Sequence, residues 1–363
     1  MTSTGFLYLC LIVIFTGVVN SSSDNSAQVY QINPRTNISQ HGNSKFGWLR
    51  FHTLDEIYDW LDGLQKKFPK NVQVIVAGVS TENRLIKGVH LKFSENKKAV
   101  FIEGGIHARE WLSHSTSTYL INELLTSERP DIRQLAASYE WYIFPSVNPD
   151  GYPTSMNYRL WRKNRSKSSS LSCYQGFCGY CNGVDLNRNW DFYWGGKPGT
   201  FHDTCSEIYP GTSAFSESET KSLSKYINGI APNLFAYISF HSYSQKLIFP
   251  YGHTINRVNN YDEQYSVALD AVKALSKRHQ TQYEVGSIGE LMGEATGSSL
   301  DWLKNKYNIP FAYCYELRGQ TSSGRFYGFV APPSEITPVA EEVMDSLLAL
   351  FLSATKRKRY SQS

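Results

Sequence analysis

The stretch Ala99-Val-Phe-Ile-Glu-Gly-Gly-Ile-His107-Ala-Arg-Glu110 decides how this chain folds. It opens as a short apolar run with strand character, passes through two glycines, and leads to a helical stretch from about Ser115 to Leu125. Working outward, the same alternation recurs. Thr53-Leu-Asp-Glu56 is a capping box, and Ile57, Trp60, Leu61 and Leu64 then repeat at helical spacing, which predicts a helix over 54–67. Val72-Gln-Val-Ile-Val-Ala and Ile86 to Phe93 read as strands, as does Trp141-Tyr-Ile-Phe. Ser216-Glu-Ser-Glu219 reads as a second capping box before a helix; Leu234 to Phe240 is a strand and Asp262 to His279 a long helix. A helix opens near Ser299, a strand covers Phe311 to Tyr315, and Thr337-Pro338 begins the last helix with Pro at its first position. Strands interleaved with helices predict an α/β fold with a mostly parallel or mixed sheet covered on both faces. No internal repeat or linker divides the domain.

Composition narrows the function. The chain has 363 residues, 36 Lys+Arg against 32 Asp+Glu, a formal charge of +4, and 41% hydrophobic with 19% charged residues. Basic residues spread thinly along a nearly neutral chain argue against nucleic-acid binding, and the apolar content argues against disorder. Phe6 to Val19 is one short apolar run, too short for a comfortable membrane span, so residues 1–20 read as a signal peptide. No Lys or Arg precedes the run, which leaves an uncleaved anchor as the alternative. A polar lead-in over 21–48, one folded domain over 49–354 and a basic tail over 355–363 complete the organisation. The expected protein is secreted and extracellular, without stable membrane insertion after signal cleavage, and monomeric.

Cys173, Cys178, Cys181 and Cys205, with His202 nearby, can be read as a zinc cluster or as disulfides, and the secreted compartment favours disulfides. Cys314, inside an apolar run, reads as a buried thiol. Asn37-Ile-Ser39 and Asn164-Arg-Ser166 have the form of glycosylation acceptors.

In open α/β sheets the ligand site lies at the carboxyl ends of the strands. Three strand runs end on chemistry: the first delivers His107 and Glu110, Leu234–Phe240 delivers His241, and Phe311–Tyr315 delivers Glu316. Two His and one Glu form a catalytic-type zinc set, and a second Glu can act as general base. Taken alone, the two His can equally be ordinary hydrogen-bonded residues and Glu110 a helix N-terminal charge. Arg159-Leu-Trp-Arg162-Lys-Asn-Arg165 and Asp185-Leu-Asn187-Arg188-Asn-Trp190 add guanidiniums and amides suited to an anionic substrate terminus, in a segment, Asn157 to Trp190, that reads as one long loop.

Taken together, His107-Ala-Arg-Glu110, Asn148-Pro-Asp-Gly151, Arg159-Leu-Trp-Arg162, Asp185-Leu-Asn-Arg-Asn-Trp190, His241-Ser-Tyr-Ser-Gln245 and Tyr315-Glu-Leu-Arg318 resemble, in order, the motifs of the zinc metallocarboxypeptidases of the pancreatic carboxypeptidase A/B type. The resemblance runs from about Phe51 to Phe351. It implies a single α/β/α domain with a mixed, twisted, eight-stranded sheet, and an enzyme that removes single residues from the C-termini of peptides or proteins with one zinc ion. Carried over, it makes His107, Glu110 and His241 the metal ligands and Glu316 the general base. Arg162 would stabilise the oxyanion, Asn187 and Arg188 would clamp the terminal carboxylate, and Asp185 would orient His107. Arg109 and Tyr243 would line adjoining subsites. Cys181 and Cys205 match the family's usual disulfide, which leaves Cys173 and Cys178 as a further pair.

Three features depart from the pattern. The digestive members carry a prodomain of roughly a hundred residues, whereas here a few tens separate the signal from Phe51, an organisation similar to carboxypeptidase O. Gly293 falls where the family carries a mobile Tyr over the substrate carboxylate. Leu300 takes the position that selects the substrate side chain, which together with Ile288, Ile248 and Ala295 implies a preference for apolar or aromatic C-terminal residues, although Lys246, Glu290 and Glu294 lie nearby in sequence. The rival readings are a secreted, zinc-bound peptide-binding protein that has lost turnover, and a serine hydrolase, for which the Gly-x-Ser-x-Gly elbow is missing.

Overall fold

The computed structural model describes residues 46–168, 171–174, 177–196, 199 and 201–360; the side chains of residues 171–174, 177, 178, 359 and 360 lie outside the description, as do the apolar run before Val19 and Asn37. The elements are α1 (Leu54–Lys67), β1 (Val72–Val79), β2 (Leu85–Leu91), β3 (Ala99–Gly104), α2 (Trp111–Thr126), α3 (Pro130–Ser138), β4 (Glu140–Phe144), α4 (Gly151–Asn157), β5 (Leu171–Tyr174), β6 (Phe177–Tyr180), α5 (Ser218–Ile230), β7 (Leu234–Ser242), β8 (Lys246–Phe249), α6 (Tyr261–His279), β9 (Glu284–Ser287), α7 (Ile288–Met292), α8 (Ser299–Tyr307), β10 (Phe311–Leu317) and α9 (Ile336–Tyr360).

Eight strands form one sheet in the order β1-β2-β4-β3-β7-β10-β8-β9. The four central strands, β4, β3, β7 and β10, run parallel, while β1, β2 and β8 pair antiparallel with their inner neighbours. Central strands are buried on both faces, and β3 is buried at all six positions. Alternation along these strands splits the core. Val100, Ile102, Ile238, Phe240, Tyr313 and Tyr315 face the layer of α1, α2, α3, α6 and α9, whereas Phe101, Tyr237 and Cys314 face α5 and α8. His241 and Glu316 continue the second set, so the strand period alone puts both on the α5/α8 side.

The first capping box is present: Thr53 Oγ1 accepts from Glu56 N and Glu56 Oε2 accepts from Thr53 N. The second is not. Glu217 caps α5, because Ser216 Oγ already donates to Glu217 Oε1 (2.6 Å) and accepts from Asn189 Nδ2 (2.9 Å), and the Glu219 carboxylate turns to Thr81 N. A box sits instead at Ser287 and Glu290, opening α7. Helix α2 starts at Trp111, four residues before the periodic stretch, and α9 starts at Ile336 with Pro338 as its third residue. That position suits Pro equally well, since first-turn N–H groups have no helical acceptor. The expected loop from Asn157 to Trp190 contains the β5/β6 hairpin and a 3-10 turn at Leu186–Arg188. Asn164, expected as a glycosylation acceptor in form, is fully buried and donates to Glu217 and Glu219, so no glycan can reach it.

The turn after β3 is sterically exacting. Gly105 has φ +69°, and a β-carbon there would lie 2.0 Å from the His114 ring. His114 is itself buried in α2, stacked on Tyr152 at 3.7 Å, and burial pushes its pKa down to about 3 from an ordinary 6.5. Below pH 6.5 the unfolded chain therefore takes up a proton that the folded chain refuses, and stability falls with pH by about 1.4 kcal/mol per unit toward pH 3. The His114 contribution between pH 6.5 and 5 is about 2 kcal/mol. In urea unfolding at pH 7, 6 and 5, His114→Phe, which keeps the stacked ring, should lose less stability than the wild type; parallel losses would dismiss the mechanism.

Candidate active site

β3 ends at Gly104, and the chain then turns through Gly105 to place His107 and Glu110 before α2, with Ala108 N donating to Arg162 O at 3.0 Å. Glu110 is the N-cap of α2, but its carboxylate makes no cap hydrogen bond. It points into the site, Oε1 2.9 Å from His107 Nδ1 and Oε2 3.0 Å from His241 Nδ1, while Ser242 N donates to Oε2 at 3.1 Å. The two imidazole Nδ1 atoms lie 3.1 Å apart. All three side chains are buried, and their donor atoms lie within 4.8 Å of one another.

Two ring nitrogens facing each other beside a carboxylate require positive charge between them. Burial opposes a charged His241, yet Glu110 beside it, followed by Glu316, lifts its pKa to about 9. Burial likewise opposes ionisation of Glu110, but the two imidazoles outweigh it and hold the carboxyl well below its usual range. A donor set of two imidazoles and one carboxylate that stabilises a cation in a buried pocket fits zinc of the catalytic type.

Asp185, the N-cap of the 3-10 turn, fixes the far side of His107. Its carboxylate accepts from His107 Nε2 (3.0 Å), Asn187 N (2.9 Å), and Arg162 Nε and Nη2 (3.2 and 2.8 Å). Burial works against the charge, but Arg162 and then His107 keep the Asp185 carboxyl well below the ordinary range. A proton held on His107 Nε2 leaves Nδ1 as a lone pair facing Glu110. Arg162 Nη1 lies 3.8 Å from Glu110 Oε1, so this guanidinium faces the same pocket.

Strands β7 and β10 extend beyond the expected runs, so His241 and Glu316 are in-strand partners across the parallel ladder. On the other side Glu316 faces Lys246 of β8. Burial raises the Glu316 carboxyl to about 7. Leu300 of α8 is buried in the same apolar cluster as Ile248 and Cys314, and Ile288 packs against that cluster. Asn187 Oδ1 accepts from Ser299 N beside it, and the buried Arg188 guanidinium donates to Gly199 O and Asn187 O. Tyr243 packs edge-on against Phe326 and Phe329, and Arg109 lies over Phe329 at 4.2 Å while pairing with Glu207 at 2.9 Å. Gly293 ends α7 with φ +82°, and nothing lies within 4 Å of where its β-carbon would be.

The structure does not bring every guanidinium of the basic segment to this pocket. Arg159 lies over Trp111 at 3.8 Å and donates to Arg109 O and Phe329 O, and Arg165 lies over Trp161. Cys181 and Cys205 form a disulfide, which removes the alternative of a cysteine zinc cluster. Cys173 and Cys178 stand opposite each other in the β5/β6 register, but their side chains lie outside the described residues; Cys314 is a buried free thiol. Sequence reasoning passed over Glu207 and Glu103. For Glu103 the signal was present, a carboxylate inside an otherwise apolar strand run; Glu207 lies in a loop without periodicity.

A buried His-Glu-His donor set with a carboxylate and a guanidinium beside it, at the carboxyl edge of a parallel sheet, defines a metal-dependent hydrolase. The chain belongs to the zinc carboxypeptidase family: the family model Peptidase_M14, described as "Zinc carboxypeptidase", matches residues 57–346. It is similar to the "Zinc carboxypeptidase A 1" of Anopheles gambiae, 45% identical over 87% of this chain and 71% of that protein. It is also similar to the "Zinc carboxypeptidase" of Simulium vittatum, 42% identical over 86% of this chain and 98% of that protein. The solved structure of bovine thrombin-activatable fibrinolysis inhibitor in complex with tick carboxypeptidase inhibitor superposes with a TM-score of 0.77 at 33% identity, over 85% of this chain and 99% of that one. The protein is a metallocarboxypeptidase with a single α/β domain and a mixed eight-stranded sheet. Among the described residues no helix is long and apolar enough to cross a membrane.

Asp185→Asn tests the support of His107. Replacing one carboxylate oxygen with NH2 removes charge from beside His107 and Arg162, and zinc affinity should fall by about 10–100-fold in a competition titration against a chelator. Unchanged affinity would show that Asp185 does not hold the ring.

Proposed function

We propose that this chain is a secreted, zinc-dependent exopeptidase that removes single C-terminal residues from peptides, with a preference for apolar or aromatic side chains. The observation that carries the reading is the convergence of His107, Glu110 and His241 next to Glu316 and Arg162. The Cys181–Cys205 disulfide supports an oxidising compartment, in keeping with a signal peptide over residues 1–20.

One zinc ion, held by His107, Glu110 and His241, would polarise the scissile carbonyl and make water acidic enough to attack at neutral pH. Glu316 takes the proton of the attacking water and delivers one to the departing amine. Burial suits it to the task, since a carboxyl that titrates near neutrality accepts a proton better than an exposed one. Arg162, steadied by two hydrogen bonds to Asp185, turns its remaining Nη1 edge toward the pocket and donates to the oxyanion. Asn187 and Arg188 bind the terminal carboxylate of the substrate, and Arg109 and Tyr243 line the subsites before the cleaved bond. Position 293 offers no side chain for that carboxylate, so the clamp rests on Asn187 and Arg188.

Leu300, Ile288 and Ile248 give the pocket for the departing residue an apolar wall. Such a wall favours apolar side chains but separates Phe from Leu only weakly.

Glu316→Gln keeps the shape and removes the base. It should lower kcat by about 10²–10⁴-fold, with KM within a few-fold and zinc content unchanged; near-normal turnover would assign the base elsewhere. Specificity is read from initial rates on N-blocked dipeptides ending in Phe, Leu, Lys or Glu, with and without a zinc chelator. Chelator-sensitive cleavage of Phe and Leu is expected, and Leu300→Asp should lower those rates by on the order of 10²-fold while making Lys the better substrate. A wild type that prefers Lys or Glu would overturn the apolar reading. Zinc-loaded protein that binds all four peptides and cleaves none would leave a binding protein on this scaffold.

A further inference from the structure

Glu103 has no part in the account above, yet it is a fully buried carboxylate in the most buried strand of the sheet. Its Oε1 accepts from Ser239 Oγ at 2.9 Å and from Ser299 Oγ at 3.4 Å, whereas its Oε2 has no partner. Half-satisfied carboxylates are costly at zero exposure and call for a reason.

The β3/β7 ladder supplies one. Glu103 pairs with Ser239 of β7, and His241 lies two residues further on, on the same face. His241 directs Nδ1 at Glu110 and His107, and its Nε2 is buried without a partner. Tyr237, two residues before Ser239 on that face, brings its buried hydroxyl close to the Glu103 carboxyl and to Ser299 without a well-aligned hydrogen bond to either. Three polar atoms, Glu103 Oε2, His241 Nε2 and Tyr237 Oη, thus lie without a well-formed hydrogen bond on one face of two adjacent strands. Glu103 and His241 are near enough for each to act on the other's charge.

The two metal-binding histidines differ in this respect. His107 has its outer nitrogen fixed by Asp185 at 3.0 Å, whereas the outer nitrogen of His241, Nε2, has no direct partner. A histidine that presents Nδ1 to a metal must carry its proton on Nε2, and an acceptor for that proton makes the ring a better donor.

We propose that Glu103 is the second positioning carboxylate of the metal centre, accepting the His241 Nε2 proton through one bound water that the Tyr237 hydroxyl also contacts. Three polar partners are what a buried water commonly has. The same carboxylate reaches the substrate side, because Ser299, which donates to Glu103 through its hydroxyl, donates to Asn187 Oδ1 through its backbone N–H. This inference rests on the zinc reading of His107, Glu110 and His241 and adds the device that orients the second ring.

The test uses zinc-loaded protein labelled with 15N-histidine. The Nε2 proton of His241 should resonate downfield, beside that of His107, which Asp185 already holds. In Glu103→Gln the His241 proton should move upfield while that of His107 stays, zinc affinity should fall by about 10–100-fold in a chelator competition, and Glu103→Asp should restore part of both. A His241 proton without the downfield shift in the wild type overturns the proposal with no variant needed, so a misfolded variant leaves it decidable. An unmoved resonance and unchanged affinity in Glu103→Gln overturn it as well. In each of those results the protein still binds zinc and the proposed function stands, whereas a wild type that takes up no zinc overturns the function and this inference together.

Discussion

The carboxylate of Asp185 is the interaction on which the rest of the site depends. It lies buried and charged, and it accepts N–H groups from His107, Arg162 and Asn187, which belong to three separate segments of the chain. A buried charge is tolerated only when it is fully paired, and here the pairing also does the positioning. His107 is oriented toward its neighbours, Arg162 is turned with one edge free, and Asn187 is drawn into the 3-10 turn that presents it beside Ser299. Loss of this one group would take the acceptor from the Arg162 guanidinium, the His107 ring N–H and a backbone donor, which couples the integrity of the site to the stability of the loop around it.

The sheet supplies the second constraint. Parallel register between β7 and β10 makes His241 and Glu316 neighbours, and the two-residue strand period sends both to the α5/α8 side, where the apolar cluster of Leu300 and Ile248 also lies. His241 and Glu316 are therefore held by strand register, and His107 and Glu110 by the turn that joins β3 to α2, which favours the close tolerances that catalysis demands. The loop segments are tied to that face in turn: Asn148 Nδ2 donates to Ile106 O and Lys163 O, and Arg159 bridges the carbonyls of Arg109 and Phe329.

Much of the architecture was legible where local chemistry is self-contained. Helix α1 could be read to the residue because Thr53 and Glu56 satisfy each other's backbone donors without outside help. The Ser216 to Glu219 pattern had the same capping-box form and failed, since Asn189 and Glu219's distant partners Thr81 and Asn164 claimed its groups first. Strands β8 and β9 are four residues each and carry too little pattern to be recognised without their neighbours. The buried run of β3 announced itself, but the meaning of the one carboxylate within it did not.

For this protein the sequence by itself determined the alternation of strands and helices, the His-x-x-Glu pair within one turn, and a motif set specific enough to indicate the family. These are properties of neighbours along the chain: periodicity and spacing suffice for the first two, and the third rests on resemblance to a known family. Only the tertiary structure decided that His241, more than a hundred residues from His107, brings its Nδ1 within 3.1 Å of the other ring. It also decided which guanidiniums face the pocket and which stack on tryptophans, and which carboxylates are paired and which are left half-satisfied. The reason is physical: strand register and burial set how far apart and how desolvated two groups are, and both depend on contacts between segments that no local pattern encodes.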